Sequence, residues 1–358
     1  MRSFSRTRVV LTTTAVALAA MVAACSSPPP PPPPPVVQAP PPPPPITLSA
    51  SVVERASAFR GYMARASQVS PTFQNGEQIQ ASLKVGAAYE TKSFMNGAVA
   101  YAAVLALQDP TFVASVREIA ANPAQRQEMV NNLFSNPSYA TVFKGSDSAA
   151  GLIIDTIGGD GLKLFMAGKA VKQAAYDVQK STWSKSAVVD RDGRLASAKS
   201  LSTSPALAES ADVAVLQQAS IGGQSLGLTP RAAEAPYSPV VIRGLAVAAL
   251  AALGAAGDEN LASIDALSLD PATNSCLSMA KLNLYQCLAV SKPHYEDIFC
   301  LGQHILIDTG ACVIKAAGAT VPPEPPKVLP VKESIATKGA GSNSRKAKAA
   351  AKKPAKKG

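Results

Sequence analysis

Residues 276–312 read CLSMAKLNLYQCLAVSKPHYEDIFCLGQHILIDTGAC, and this stretch decides the fold. Cys276 and Cys287 stand eleven residues apart. On an α-helix that is about 1100°, only ~20° from whole turns, so both fall on one face. Ser291-Lys292-Pro293 breaks the helical composition between Cys287 and Cys300, because proline cannot continue a helix. Four cysteines allow three pairings. The helix–break–helix pattern favours the nested one, Cys276–Cys312 and Cys287–Cys300. In the second arm Asp308-Thr309-Gly310 predicts a helix end before Cys312, so that arm fits one helix less well.

The hairpin is similar in geometry to the twin-cysteine helical hairpins of mitochondrial intermembrane-space proteins, with different spacing. That likeness is geometric and implies no function. Structural zinc favours cysteines two to four residues apart, and a redox-active pair favours C-x-x-C. Neither spacing occurs here, so the reading is of two disulfides, with no metal and no cofactor. The whole chain holds two histidines, which excludes a multi-histidine metal site. His294 reads as the start of a helix after Pro293, and His304 as a polar-face residue.

Working outward, Gly244–Ala256 is a 13-residue apolar run. It is too short to cross a bilayer and reads as a buried central helix. Residues 184–239 are rich in Ser, Ala, Gly and Pro and read as an irregular linker, with at most a short strand or helix at Val213–Gln217. Within it Gly223-Gln224-Ser225-Leu226-Gly227 satisfies G-x-S-x-G. A serine hydrolase would use Ser225 with an acid such as Asp258 or Asp265 and a base such as His294 or His304. The strand–turn–helix context that motif requires is missing from the sequence, so no enzyme is expected. Asp190-Arg191-Asp192-Gly193 is a fragment of a calcium loop without the remaining acidic ligands, and reads as a polar turn.

Residues 160–183 form the best amphipathic stretch, with Leu164, Val171, Ala175 and Val178 on one face and lysines elsewhere. Between 109 and 145, Asp109-Pro110, Asn122-Pro123 and Asn136-Pro137 recur 13 and 14 residues apart. An Asx side chain caps a helix start and proline suits the first turn, so short consecutive helices are predicted. The spacing faintly resembles the Asp-Pro helical repeats of co-chaperone domains, as a capping pattern only.

The N-terminus opens with Arg2, Arg6 and Arg8, followed by an apolar stretch from Val9 to Val22. That is the layout of a secretory signal peptide. Val22-Ala23-Ala24-Cys25 resembles the lipobox of bacterial lipoproteins. The resemblance implies cleavage before Cys25, acylation of that cysteine and membrane anchoring; Ser26 after it implies delivery to the outer membrane. Pro28–Pro35 and Pro40–Pro45 follow. As polyproline II the eighteen residues from Pro28 to Pro45 make a semi-rigid rod of roughly 55 Å.

The chain has 358 residues and a formal charge of +10, but the excess lies at its ends. Residues 25–326 hold 21 basic and 23 acidic residues. Residues 327–358 hold ten basic residues against Glu333 alone. The tail is Lys/Ala-rich without aromatics and is expected to be disordered. Lys346, Lys348, Lys352, Lys353, Lys356 and Lys357 are the candidate contacts for an anionic partner: peptidoglycan, lipid phosphates or an acidic envelope protein. Its composition resembles linker-histone tails, the basis of an alternative nucleic-acid reading. Behind a lipobox no nucleic acid is expected.

These readings predict a mainly α chain. Residues 1–24 are a signal peptide and 25–45 a lipidated cysteine with a polyproline spacer. Residues 46–183 are helical, 184–239 an irregular linker, 240–321 a disulfide-stapled helical hairpin region and 322–358 a basic tail.

Overall fold

The computed structural model describes residues 42–323. The lipobox with Cys25, most of the proline spacer and the lysines of the tail lie outside the described residues. So does the nucleic-acid alternative that rests on the tail.

Asx-Pro and Ser-Pro pairs set the helix starts. Before them come α1 (Ala50–Ser67), α2 (Gly76–Ala87) and α3 (Thr91–Ala106). Asp109 opens α4 (Pro110–Ala120), its Oδ1 accepting from the Phe112 N–H at 2.8 Å. Asn122 opens α5 (Pro123–Ser135) in the same way, and Asn136 a short 3₁₀ turn over Pro137–Val142. Each proline sits where its missing N–H costs nothing. There follow α6 (Ser146–Asp177), the single turn α7 (Thr182–Lys185), α8 (Arg191–Leu201) and α9 (Ser210–Ser220). Ser238-Pro239 opens α10 (Pro239–Ala252). After α11 (Leu261–Leu267), Asp270-Pro271 opens α12 (Pro271–Val290). The last arm is α13 (His294–Cys300), a π-helical segment (Leu301–Ile307) and α14 (Asp308–Ala316), continuous with one another. No strand occurs among the described residues, only two isolated bridges.

The core is built around α10. Every residue from Leu245 to Leu253 is fully buried, as the apolar run predicts. Helix α10 packs on α3, α3 on α1, and α6 on the whole 294–316 arm. That arm is the one described helix long and apolar enough to cross a membrane unbroken, but 72% of its apolar window is buried inside the body. Its apolar face is therefore occupied by protein.

Two expectations need correction. The first concerns residues 184–239, where two helices stand in a connection read as irregular apart from a short strand or helix at Val213–Gln217. Helix α8 is capped by Asp190, whose Oδ1 accepts from the Gly193 N–H at 2.8 Å, and α9 spans the suggested 213–217 piece. Small and charged residues hide these helices from an apolar-periodicity reading. Residues 221–238 remain irregular.

The second concerns Asp308-Thr309-Gly310, which does not end the second arm. Gly310 is a contact residue: a Cβ there would lie 2.7 Å from the Phe165 backbone N of α6. The helix stops only near Gly318, at φ +79°, the left-handed position glycine tolerates. The π segment explains how both cysteines of this arm reach α12. Twelve residues from Cys300 to Cys312 would leave them ~120° out of phase on a pure α-helix. A π turn absorbs one extra residue, which restores the phase of eleven.

Candidate functional site

The cysteines join as nested bridges. Cys276 bonds Cys312 with Cα atoms 5.8 Å apart, and Cys287 bonds Cys300 at 5.7 Å. They close 36- and 13-residue separations, each worth roughly 3–4 kcal/mol on chain-entropy grounds.

Two buried cations brace this hairpin. Arg194 of α8 pairs with Asp297 of α13, their side chains 2% and 0% exposed. The same guanidinium donates to the Leu288 carbonyl, and Ser291 Oγ donates to Asp297 Oδ1 at 2.8 Å. The charge is thus held by several partners, as a buried ion must be. Lys281 of α12 donates to the Ala87 carbonyl at 2.8 Å and to Ser202 Oγ at 3.1 Å. Its ammonium lies 3.5 Å from the centre of the Tyr89 ring. Burial pushes its pKa well below the usual lysine range, against the opposing pull of Glu90. Neither cation was identified from sequence. A signal exists for Lys281: it interrupts a buried stripe of Leu277, Leu284 and Leu288.

The histidines do not converge with the proposed nucleophile. His294 begins α13, its ring 6.4 Å from Trp183. His304 Nδ1 bonds Asp308 Oδ2 at 2.8 Å. Ser225 is exposed in a loop and its Oγ accepts from the Gly227 N–H at 3.1 Å. Asp258 accepts from Ser49, and Asp265 pairs with Arg55. No hydrogen bond joins Ser225 to any of these histidines or acids. The 190–193 calcium-loop fragment is the N-terminal cap of α8, and the described residues contain no cluster suited to a metal.

The end of the proline run is built into the body. Arg117 Nη1 donates to the Pro44 carbonyl at 2.9 Å and to the Ala252 carbonyl at 3.3 Å. The Thr47 and Ser49 N–H groups donate to Ala251 and Ala256 carbonyls at 3.0 and 2.8 Å. The chain therefore enters the body along the C-terminal end of its most buried helix.

A groove of about 860 Å³ opens where α1 and α3 face residues 204–208 and the end of α11. Phe59 and Phe94 contribute to its lining, with ring centroids 4.8 Å apart. Asn96, 9% exposed, also lines it, and its Oδ1 is buried without a partner. Sequence reasoning passed over Asn96. The available signal was a lone amide inside the apolar run from Phe94 to Leu107.

No family, no curated protein and no solved structure matches this chain.

Proposed function

We propose that the chain is a lipid-anchored cell-envelope protein of structural or interaction type, not an enzyme. In this reading Cys25 carries the lipid in the outer membrane and the proline spacer holds the body away on the periplasmic side. The lysines from Lys346 to Lys357 contact an anionic envelope polymer or protein. The observation that carries the reading is the doubly bridged hairpin, since stable disulfides belong to oxidising compartments outside the cytosol. The lipobox resemblance points to the same compartment independently. The clasp of Arg117 on Pro44 suits a stand-off role, because the last residues of the spacer are held by the body.

The test is cell-wall association. The full chain should sediment with purified wall and be released by salt, as contacts between exposed charges are screened. A chain lacking residues 338–358 should be released at lower salt. Wall association indifferent to both salt and that deletion would contradict the role assigned to the tail.

A further inference from the structure

We infer that the groove between α6 and the final arm is the docking site for the proline-rich root of this chain's own tail, Glu324–Leu329. The inference goes beyond the envelope reading and stands whether or not the lysines further on contact a polymer.

The described chain ends on this groove. After Gly318 it turns back along α6. A Cβ on Gly158 would lie 3.2 Å from the Ala319 Cβ, and Val321 packs against Phe165, Ile307 and Ile314. The chain thus runs from Gly158 towards Phe165, with Val321 and Pro322 half-buried. Ahead of it Phe165, Lys169, Lys172 and Tyr176 follow at helical spacing as one stripe of α6. Opposite them the arm runs antiparallel, from Ile307 beside Gly168 to Phe299 beside Tyr176.

The stripe leads into a concavity of about 450 Å³ whose lining includes Tyr176, Val290, Tyr295, Glu296 and Phe299. Tyr176 and Val290 are 49% and 74% exposed. The Tyr176 and Phe299 rings meet edge to face, with centroids 6.3 Å apart. Grooves lined by aromatic side chains suit proline-rich segments in the polyproline II form. That form brings its prolines already ordered and has no internal hydrogen bonds to lose.

The sequence Val321-Pro322-Pro323-Glu324-Pro325-Pro326-Lys327 fits the groove in length and charge. From Phe165 to Tyr176 the helix rises ~16.5 Å. Polyproline II advances about 3.1 Å per residue, so roughly five residues beyond Val321 bring Pro325-Pro326 level with the Tyr176 ring. In that register Glu324 falls between Lys169 and Lys172, whose ammonium groups lie over the rings of Phe165 and Phe299 at 5.8 and 5.7 Å. Lys327 falls beside Glu296, whose Oε2 accepts from the Lys292 N–H at 2.8 Å and whose other oxygen can meet the ammonium. Opposite charges therefore meet at both ends. Val328 and Leu329 follow directly and cover the exposed Val290. The attachment at Val321 fixes the direction and makes the contact intramolecular, so a shallow groove suffices.

The experiment follows trypsin cleavage of the full chain, purified in detergent, at the Lys327–Val328 bond, with the Lys338–Gly339 bond as reference. Tyr176→Ala should accelerate cleavage after Lys327 at least about tenfold, which corresponds to ~1.4 kcal/mol of docking, and leave cleavage after Lys338 unchanged. The half-exposed position of Tyr176 should leave the thermal midpoint close to that of the parent, so faster cleavage cannot be ascribed to unfolding. Carbodiimide coupling followed by peptide mapping should join Lys327 to Glu296 within one chain. Equal cleavage in parent and variant would overturn the inference. So would a Lys327–Glu296 link that is absent, or found only in cross-linked dimers, the latter assigning the groove to the tail of a second copy.

Discussion

Arg194 and Asp297 form an ion pair with both side chains almost wholly inside the protein. The pair fastens α8 to the turn of the disulfide hairpin, so a segment with the composition of a linker supplies a central tie. Removing one partner strands the other as a buried charge, which costs about 3–5 kcal/mol. Asp297→Asn and Arg194→Met should each lose stability of that order in chemical denaturation. Arg194→Met combined with Asp297→Leu should recover a large part of it. Additive losses would show that the pair is not coupled.

Helix α6 meets the final arm through glycine. A Cβ on Gly168 would lie 2.6 Å from the Ile307 backbone N, whereas one on Gly159 would meet nothing within 4 Å. Gly168→Ala and Gly310→Ala should each cost about 1–3 kcal/mol by overpacking. Gly159→Ala should be neutral or stabilise by up to ~1 kcal/mol through helix propensity. Thermal unfolding of the three variants checks the contrast.

Lys281 gives stability a pH dependence of defined sign. Its folded pKa lies well below 10.5 because burial disfavours the charge. Below the folded value both states carry the proton and the penalty is complete. Between that value and 10.5 the unfolded chain binds more protons, so stability climbs as pH rises. Above about 10 the buried Tyr62 and Tyr89, whose pKa values burial raises, act in the opposite direction. The difference between the parent chain and Lys281→Met isolates the lysine. This difference should narrow as pH rises from the folded pKa toward 10.5, and a flat difference across that window would contradict a penalty on the ammonium.

The hairpin should depend on oxidation. Replacing Cys276 and Cys312 by serine should cost roughly 3–4 kcal/mol, with a smaller loss for Cys287 and Cys300, which close the shorter loop. Denaturation with and without dithiothreitol measures this directly. Peptide mapping under non-reducing conditions should recover the two nested pairs.

Much of the fold could be read from local chemistry. Asp109, Asn122 and Asn136 announced three helical starts because capping is a contact over three residues. Cys276 and Cys287 announced a helix by phase. What escaped depended on partners distant in sequence. Gly310 looks like a terminator until α6 is known to press against it. The π turn between Cys300 and Cys312 has no local signature. Arg194 reads as an ordinary surface charge until Asp297, 103 positions away, is placed beside it. Asn96 was visible as an odd residue in an apolar run, but its lack of a partner is a property of the packed structure.

The central claim concerns the address of the protein, and intact-mass spectrometry of the chain recovered from membrane fractions tests it most directly. The account predicts a chain that begins at Cys25, carries acyl mass on that residue, and holds four cysteines as two disulfides. A chain recovered from the cytosol with an intact N-terminus beginning at Met1 and five free thiols, Cys25 included, would contradict it.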